Sequence, residues 1–367
     1  MSKARETVLE IDLQALEHNF NYLSEKAGPG VKRMAVVKAY GYGSDVVEVA
    51  KRLEALGADY LAVAFPSEGI ILREAGIKLP ILVFQSQPLH FESLIEHCLE
   101  PSLYSKNQFS EFLKVAEARK LKNYPIHVKF NTGLNRLGFS PEATDEVYEL
   151  LNQSEAIRAT SFFSHLSASW DWQEREFTLE QIYTFKQIAV ELYEKLDYEP
   201  WLHICNTSGI INYPEAAFHM VRMGIGLFGY GNDPEVDNHL KPVATLKTVI
   251  SQIHELEEGE SVGYDRAFKA EGPMRSATLP IGYGDGLGRT FGNQRAGVFI
   301  GDQYAPIIGN VCMDMIMIDV TGISCEEGDE VVIFGGPQHG SALAKAGGTI
   351  SYELITSISQ RVKRVLV

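Results

Sequence analysis

The stretch Met34-Ala-Val-Val-Lys-Ala-Tyr-Gly-Tyr-Gly-Ser44 predicts a buried strand followed by a turn. Its first four residues are apolar and partly β-branched, as in a strand buried on both faces, and Gly-Tyr-Gly is typical of a turn. Lys38 is therefore predicted to lie where the strand ends. Partial burial lowers the pKa of a lysine and leaves a neutral amine that can act as a nucleophile or form a Schiff base. The alternative is a lysine that simply extends into solvent.

The residues that follow Lys38 favour a ligand-binding role for it. Tyr40 and Tyr42 alternate with Gly41 and Gly43. Glycine lets backbone N–H groups approach a ligand closely, and a tyrosine hydroxyl can donate a hydrogen bond to a phosphate or a carboxylate. The run Val-Val-Lys-Ala-Tyr-Gly-Tyr-Gly resembles the motif of the alanine racemases in which the lysine holds pyridoxal 5'-phosphate (PLP). The resemblance implies that Lys38 and Tyr42 bind this cofactor.

Length and charge limit the classes of function. A chain of 367 residues with 45% hydrophobic content can bury one large core and a second, smaller one. The formal charge is −15, and there is no block of Lys or Arg residues. This charge argues against nucleic acid or an anionic membrane as a partner.

The N-terminus and the cysteines bear on location and on metal sites. The N-terminus is charged where a signal peptide needs an apolar core, and no apolar run is long enough to span a bilayer, so we expect a cytoplasmic protein. The cysteines have no close spacing, which predicts neither a disulfide framework nor a zinc site. His203 and Cys205 could ligate a metal, but they lack companions. We therefore predict no metal.

Apolar strand candidates alternate with amphipathic helical stretches through the first two-thirds of the chain. The predicted strands are 33–38, 59–64, 80–85, 99–104, 124–130, 157–165, 200–206 and 218–224. Eight strands joined by helical crossovers match the count of a (β/α)8 barrel of the TIM type. A doubly wound open sheet is the alternative. The barrel is favoured because no Gly-x-Gly-x-x-Gly follows the first strand, and because unusual residues fall at strand ends throughout the count.

A change in composition near residues 229–242 predicts a domain boundary. The later part of the chain is rich in glycine and in short alternating strands, such as 245–253, 276–281 and 315–320, with a last helical piece at 349–363. We therefore predict an α/β chain with a barrel over 8–240 and a mainly-β C-terminal domain over 241–367. Residues 1–10 could pack with the second domain.

The loops after the strands build the active site of such a barrel. Polar residues stand at or just beyond these strand ends: Lys38, Lys129, Arg136, His165, Asn206 and Arg222. Polar residues also gather at strand ends because the core stops there, so each position alone is a weak signal. Taken together, they predict one converging site.

The fragment Lys129-Phe-Asn-Thr-Gly-Leu-Asn-Arg136 is similar to a segment of the alanine racemases. The resemblance implies that Arg136 contacts the substrate carboxylate and that Lys129 is a candidate for carbamylation. A planar guanidinium suits a carboxylate because it can form two parallel hydrogen bonds. The alternatives are an ion-paired strand end and a solvated loop residue. Asn131 stands where the family commonly has aspartate, which leaves the charge around Lys129 open.

Two more fragments match the cofactor site of the family. His165 resembles the histidine that stacks on the pyridine ring. The run Cys205-Asn206-Thr207-Ser208-Gly209 predicts a helix start whose N–H groups and hydroxyls can hold a phosphate, which implies cofactor contacts for Asn206 and Thr207, with Ser208 able to share them. The alternatives are a structural histidine and a helix cap without a ligand.

The fragment Arg222-Met-Gly224-Ile225-Gly226 is similar to a family segment in which the arginine faces the pyridine nitrogen. The resemblance implies that the N–H groups of Gly224 and Ile225 bind phosphate. Arginine stays cationic, so a ring nitrogen beside it stays unprotonated and is a weaker electron sink. This disfavours transamination and suits the removal and return of one proton. An inward strand residue paired with a carboxylate is the alternative.

Several positions in the second domain also resemble the family: Tyr264 as a second catalytic base, Tyr283 at the entrance, Met313 as a substrate contact beside Asp314, and Tyr352 at the cofactor phosphate. Tyrosine is a poor base unless nearby cations lower its pKa, so a loop residue is the alternative for the first of these. Asn310 replaces an arginine common in relatives, which leaves the charge near Tyr264 or the entrance open.

The family resemblance also implies an assembly. In the alanine racemases the β-domain of one subunit completes the barrel mouth of the other. We therefore expect a homodimer with shared active sites, in which Tyr264, Tyr283, Met313 and Asp314 are supplied by the partner.

The resemblance spans the chain from about residue 8 to the C-terminus, with the motifs in the expected order. It implies a PLP-dependent alanine racemase that supplies D-alanine for peptidoglycan, with Lys38 and Tyr264 as bases on opposite faces of Cα. A racemase of another small amino acid such as serine is one alternative. A PLP-dependent amino-acid decarboxylase is another, although that group typically places an acidic residue where Arg222 stands. Non-catalytic PLP-binding proteins lack a domain like 241–367.

Overall fold

An eight-stranded parallel barrel forms the first part of the molecule. The computed structural model describes residues 5–336 and 340–367. Strand β1 (Val8–Ile11) lies outside the barrel, and the barrel strands are β2 (Lys32–Val36), β3 (Tyr60–Val63), β4 (Ile81–Val83), β5 (Glu100–Leu103), β6 (Tyr124–Lys129), β7 (Ile157–Phe163), β8 (Trp201–His203) and β9 (Met220–Met223). Neighbours in this order pair in parallel from β2 to β8, and β9 pairs with β2. His219 N donates to Leu202 O (3.2 Å) and Arg222 N to Cys205 O (3.0 Å), which joins β8 to β9. The predicted barrel is confirmed.

Helices connect the barrel strands. They are α1 (Leu13–Ala27), α2 (Val46–Ala55), α3 (Pro66–Glu74), α4 (Phe91–Glu96), α5 (Lys106–Ala118), α6 (Thr144–Asn152), α7 (Arg175–Lys195), α8 (Thr207–Asn212) and α9 (Pro234–Asp237), with 3-10 helices at Pro88–His90, Pro141–Ala143, Trp172–Glu174, Pro214–Ala216 and Ile225–Phe228. Helix α1 shows the sequence logic. Asp12 caps it by accepting hydrogen bonds from the N–H groups of Gln14 and Ala15, and its buried face recurs at Leu16, Phe20 and Leu23.

The second part of the chain is a mainly-β domain, as predicted. Its strands are β10 (Ala244–Val249), β11 (Gln252–Leu256), β12 (Ser261–Val262), β13 (Phe268–Lys269), β14 (Met274–Leu279), β15 (Gly297–Ile300), β16 (Gln303–Ile308), β17 (Ile316–Asp319), β18 (Glu330–Phe334) and β19 (Lys363–Leu366). A nine-stranded sheet has the order β11-β14-β17-β16-β15-β18-β10-β1-β19, and β12 and β13 form a separate pair. The helical pieces are Tyr264–Arg266, Tyr283–Asp285, Arg289–Phe291, α10 (Gly340–Ala346) and α11 (Ser351–Thr356).

Both ends of the described chain join this second sheet. Strand β1 pairs antiparallel with β10 and parallel with β19. The prediction of one helix over 349–363 was therefore wrong beyond Thr356, because Lys363–Leu366 is a strand. The free edge of β1 offers unpaired N–H and C=O groups to the last residues, and this tertiary pairing outweighs the local helical pattern. The predicted strand 245–253 is divided into β10 and β11.

In the part of the chain that the structure describes, residues 5–336 and 340–367, we find no helix with the length and apolar character needed to cross a bilayer.

Candidate active site

The backbone makes a left-handed turn directly after β2. Residues 39–42 have φ angles of +53°, +56°, +67° and +54°. The strand ends at Val36, so Lys38 begins this turn and does not end the strand, as the predicted limits 33–38 had placed it. A left-handed conformation costs a non-glycine residue roughly 1–2 kcal/mol. Such strain persists only where the surroundings enforce it.

Two side chains distant in sequence hold this turn. The Glu68 carboxylate, in the first turn of α3, accepts hydrogen bonds from the N–H groups of Ala39 (2.5 Å) and Ala64 (2.7 Å). The Arg364 guanidinium, in β19, donates to the carbonyl oxygen of Gly43 (2.8 Å). The position of Lys38 is therefore fixed by both the barrel and the C-terminal sheet.

A cavity of about 610 Å³ lies at the carboxyl ends of the barrel strands. This volume is in the range of small-molecule sites. Ten residues predicted from the sequence line it: Lys38, Tyr42, Lys129, Arg136, His165, Asn206, Thr207, Arg222, Gly224 and Tyr352. Four of these carry cationic groups, and no aspartate or glutamate within residues 5–336 and 340–367 lines the cavity. The arrangement therefore attracts an anionic ligand.

Burial and like charges act on the two lysines of the cavity. Burial lowers the pKa of Lys38 below its ordinary value, and the guanidinium of Arg136 lowers it further, while the carboxylate of Glu68 acts in the opposite direction. Burial also lowers the pKa of Lys129 to about 8, assisted by the charges of Arg136, Arg222 and Lys38. Both amines therefore lose their proton more readily than an exposed lysine does, which favours nucleophilic chemistry.

Arg222 is buried and almost fully hydrogen-bonded. Its Nη1 donates to His203 Nδ1 (2.7 Å), and its Nη2 donates to the carbonyl oxygens of Ser164 (2.7 Å) and Ile204 (3.0 Å) and to His165 Nδ1 (3.1 Å). Burial lowers the pKa of Arg222 to about 10, so the guanidinium stays charged at neutral pH. No described residue accepts a hydrogen bond from its Nε–H, which leaves that donor for a ligand in the cavity.

His165 is held as a neutral ring. Burial places the pKa of His165 well below its ordinary value, and the charge of Arg222 adds to this. Because a guanidinium only donates, Nδ1 of His165 is the acceptor in their contact, and the proton of the neutral ring lies on Nε2. A neutral aromatic ring of fixed orientation in the cavity wall is suited to stacking on a planar ligand.

A cradle for an anion lies between α8 and the segment after β9. Thr207 Oγ1 accepts hydrogen bonds from the N–H groups of Gly224 (3.2 Å) and Gly226 (3.2 Å). A Cβ at position 224 would lie 3.0 Å from the Tyr42 hydroxyl, so glycine keeps this space open. Burial raises the pKa of Tyr42, which keeps its hydroxyl protonated as a donor. The ring of Tyr352 lies 6.3 Å from that of Tyr42 and adds another hydroxyl to the cradle.

Two other residues predicted to contact the cofactor, Asn206 and Ile225, also contribute to the local structure. Asn206 Oδ1 accepts hydrogen bonds from the N–H of Gly209 (2.9 Å) and from the Ser169 hydroxyl (2.8 Å), so its side chain caps α8 while also lining the cavity. Ile225 has its side chain in the core and is not among the residues that line the cavity.

The loop that carries Arg136 is shaped by Asn131. Its Oδ1 accepts from the N–H groups of Gly133 (3.2 Å) and Asn135 (2.9 Å), and its Nδ2 donates to Asn135 Oδ1 (2.8 Å). An ionised aspartate could not make the last bond. The neutral amide also gives Lys129 no counter-charge. The positive charge around Lys129, which the sequence had left open, is therefore not offset by residue 131.

Of the five residues predicted in the second domain, Tyr352 lines the cavity of its own chain and the other four do not. They are exposed instead: Tyr264, at 72% exposure, Tyr283, Met313 and Asp314. One chain therefore presents a cavity at the barrel and a separate exposed cluster on the β-domain.

Hydrogen bonds and ion pairs organise this exposed cluster. Arg361 donates to Asp285 Oδ1 (2.8 Å) and to Asp314 Oδ1 (2.7 Å). Asn310, which stands where relatives commonly have arginine, donates to the carbonyl oxygen of Tyr264 (3.3 Å). The position thus orients the backbone at Tyr264 without adding a charge.

The sequence reasoning did not single out Glu68, Arg361 or Arg364, and it considered His203 only as a possible metal ligand. Glu68 carried a usable signal, because it is the third residue after Phe65 in a helix start with Pro66 at the first position. The two arginines carried none, since their partners lie about 50 to 320 residues away.

Known proteins resemble this chain over its whole length. The family profile described as alanine racemase, N-terminal domain, matches residues 11–232, and the profile described as alanine racemase, C-terminal domain, matches residues 243–366. Alanine racemase 1 of Clostridium acetobutylicum is 39% identical, covering 98% of this chain and 94% of the relative.

Solved structures of alanine racemases also resemble this chain over its whole length. Alanine racemase of Clostridium difficile 630 superimposes with a TM-score of 0.92 at 33% identity, covering 100% of this chain and 97% of the other. Alanine racemase from Bartonella henselae with covalently bound pyridoxal phosphate superimposes with a TM-score of 0.91 at 25% identity, covering 99% of this chain and 100% of the other. The motif resemblance is thus confirmed, and the chain belongs to the alanine racemase family of PLP-dependent isomerases.

Proposed function

We propose that this protein interconverts L-alanine and D-alanine with PLP held on Lys38. The observation that carries the proposal is the cavity, where a half-buried lysine of lowered pKa lies among cationic groups, a neutral histidine and a hydroxyl-lined cradle. A phosphate, a planar ring and a carboxylate are the groups that such a site can hold together.

The described residues fit PLP. The hydroxyls of Tyr42, Thr207 and Tyr352, with the open space at Gly224, would hold the phosphate, and Lys38 would form the covalent link. The cofactor, when bound, supplies an electron sink that lets the α-proton of an amino acid leave. The Nε–H of Arg222 is the free donor for the ring nitrogen. Because Arg222 stays cationic at neutral pH, that nitrogen would remain unprotonated, which limits the lifetime of a carbanion and disfavours transamination.

Two bases are needed to invert a carbon centre without returning the proton to the same face. Lys38 would take or give a proton at one face of the substrate Cα. We propose that Tyr264 of the partner subunit does so at the other face. Its exposure, together with its separation from the cavity of its own chain, supports supply across a homodimer interface.

The remaining proposed contacts bind and orient the substrate. Arg136 lines the cavity, and its guanidinium would hold the substrate carboxylate. Tyr283, Met313 and Asp314 would narrow the entrance from the partner subunit. Lys129 is the proposed site of carbamylation. A carbamate on its amine would be negatively charged and would offset part of the positive charge of the cavity.

We further propose domain limits near 8–240 and 241–367, with Val8–Ile11 contributed to the sheet of the second domain. The protein would work in the cytoplasm and supply D-alanine for peptidoglycan.

Isotope exchange tests the proposed reaction. Protein loaded with PLP and given L-alanine in deuterated water should yield D-alanine with deuterium at Cα. Lys38→Ala should abolish covalent PLP attachment, whereas Tyr264→Phe should keep the attachment and suppress turnover. Release of carbon dioxide, exchange only with serine, or no exchange over a panel of amino acids would refute the assignment.

A further inference from the structure

A row of buried polar side chains crosses the barrel behind Arg222. It consists of Glu100 on β5, His127 on β6, Ser161 on β7 and His203 on β8, and we call it the barrel relay. Successive members are in contact: Glu100 Oε2 to His127 Nε2 is 2.7 Å, His127 Nδ1 to Ser161 Oγ is 2.6 Å, and Ser161 Oγ to His203 Nε2 is 2.8 Å. All four are at most 8% exposed, and none of them lines the cavity.

The hydrogens of the relay can be assigned from one end. Arg222 only donates, so Nδ1 of His203 accepts, and the proton of the neutral ring lies on Nε2 and is donated to Ser161 Oγ. The Ser161 hydroxyl then gives its own proton to His127 Nδ1. The proton of His127 lies on Nε2 and is donated to Glu100. Every donor in the row then has one acceptor, and every bond runs in the same direction, from the arginine to the carboxylate.

The competing arrangement is an ion pair of protonated His127 with Glu100. In that case both histidines would donate to Ser161 Oγ, and the serine hydroxyl would lose His127 as its acceptor. A buried hydroxyl proton without an acceptor costs about 1–3 kcal/mol. The neutral arrangement is therefore favoured. Burial and the charge of Arg222 also lower the pKa of His203 well below its ordinary value, in agreement with a neutral ring there.

The relay connects the buried positive charge of Arg222 to a carboxylate. The side-chain hydrogen bonds of Arg222 go to carbonyl oxygens and to two neutral histidines, and within residues 5–336 and 340–367 no carboxylate forms an ion pair with it. A buried cation without a counter-charge is costly. Glu100 lies at the far end of the relay, where it also accepts a hydrogen bond from the Tyr60 hydroxyl (3.2 Å). Its negative charge polarises each bond of the row towards itself.

We propose that Glu100, His127 and Ser161 are positioning residues for Arg222. They act through His203, which they hold in one tautomer and one orientation, and so they fix the direction of the Arg222 guanidinium and supply its counter-charge. Their effect on racemisation rests on the proposed function, whereas the arrangement of protons does not.

The arrangement of protons is tested first, on the PLP-free protein labelled with ¹⁵N at histidine. Ring nitrogen spectra at neutral pH should show His127 and His203 as neutral rings with the proton on Nε2. In Ser161→Ala both rings lose a partner, and their signals should shift or split between tautomers. The matched control is Ser102→Ala, which removes a buried hydroxyl on β5 that has no hydrogen-bond partner among the described residues. It should leave both rings unchanged. A protonated His127 ring in the wild-type protein would overturn the assignment.

The role in positioning is tested on the protein loaded with PLP. Glu100→Gln keeps an acceptor for His127 but removes the charge, and Ser161→Ala breaks the row. Both should lower kcat by about 10- to 100-fold, as the loss of groups behind a metal ligand does, with KM changed less than kcat. Both should also shift the absorbance of bound PLP and raise the ratio of transamination to racemisation, because a displaced Arg222 lets the ring nitrogen take a proton.

The outcomes separate the two ideas. If both variants match Ser102→Ala in the transamination ratio and in the PLP absorbance, the positioning role is wrong even if racemisation is normal. If the wild-type protein racemises nothing while the histidine spectra agree with the relay, the proposed function fails and the relay stands.

Discussion

Replacing Gly43 with alanine tests how tightly the C-terminal part of the chain holds the turn that carries Lys38. Gly43 has a φ of +81°, and a Cβ there would lie 2.1 Å from the carbonyl oxygen of Ile355 and 3.0 Å from its carbonyl carbon. These are backbone atoms, so no side-chain rotation can relieve the overlap. The left-handed conformation costs roughly 1–2 kcal/mol, and overpacking adds about 1–3 kcal/mol. We expect the free energy of unfolding to fall by roughly 2–5 kcal/mol.

The chain offers a matched control for the steric part of this loss. Gly57 has a φ of +82°, and a Cβ there would meet no atom within 4 Å. Gly57→Ala therefore carries only the conformational cost, about 1–2 kcal/mol. Urea unfolding of the two PLP-free variants measures the difference between them, provided that their m-values agree with that of the wild type.

Gly43→Ala should also affect ligand binding in the cavity. Ile355 belongs to α11, which also carries Tyr352 in the cavity wall. Gly43→Ala should therefore weaken PLP binding in a fluorescence titration, whereas Gly57→Ala should not. Equal losses of stability in the two variants, or a PLP affinity unchanged by Gly43→Ala, would refute the idea that α11 fixes this turn.

Three further perturbations follow from the site. Glu68→Ala removes the acceptor of the partly buried N–H groups of Ala39 and Ala64 and of the exposed N–H of Phe65. It should lower the free energy of unfolding by about 2–3 kcal/mol in urea; a loss below half of this would contradict its role. The pKa of Lys129 is about 8 in the fold against an ordinary 10.5, so the unfolded chain binds more protons between these values. The stability of the PLP-free protein should therefore rise over that range by roughly 3 kcal/mol. Lys129→Met should flatten this rise, and parallel curves would reject it. Arg361→Ala breaks ion pairs with Asp285 and Asp314, so the free energy of unfolding should change little while KM for alanine rises; an unchanged KM would argue against a role at the entrance.

Much of the fold could be predicted because its signals are local. Most barrel strands contain a short apolar run, and several connecting helices have their own periodicity and start signal, as α1 shows with Asp12. The last strand, Lys363–Leu366, was missed. Its conformation depends on an edge offered by Val8–Ile11 at the opposite end of the chain, and no local pattern carries that information.

In the cavity, too, some features could be predicted from the sequence and others depend on contacts between distant residues. Lys38, His165 and Arg222 were predicted at or near the ends of strands and Arg136 in the loop beyond one, so the barrel rule alone brings them to one mouth. The motif resemblance, and not the physics of these residues, supplied their roles. The backbone strain at residues 39–42 and the support from Glu68 were not predicted, because they arise from contacts between separate elements.

The sequence by itself determined the alternation of strands and helices, the acidic charge and the order of the chemical groups along the chain. These properties belong to single residues and to their near neighbours. Only the tertiary structure decided that Glu100, His127, Ser161 and His203 touch in one row, and that Glu68 and Arg364 hold the turn after β2. The reason is physical: which side chains meet depends on strand register and on closure of the barrel, and these are set by the packing of the whole core.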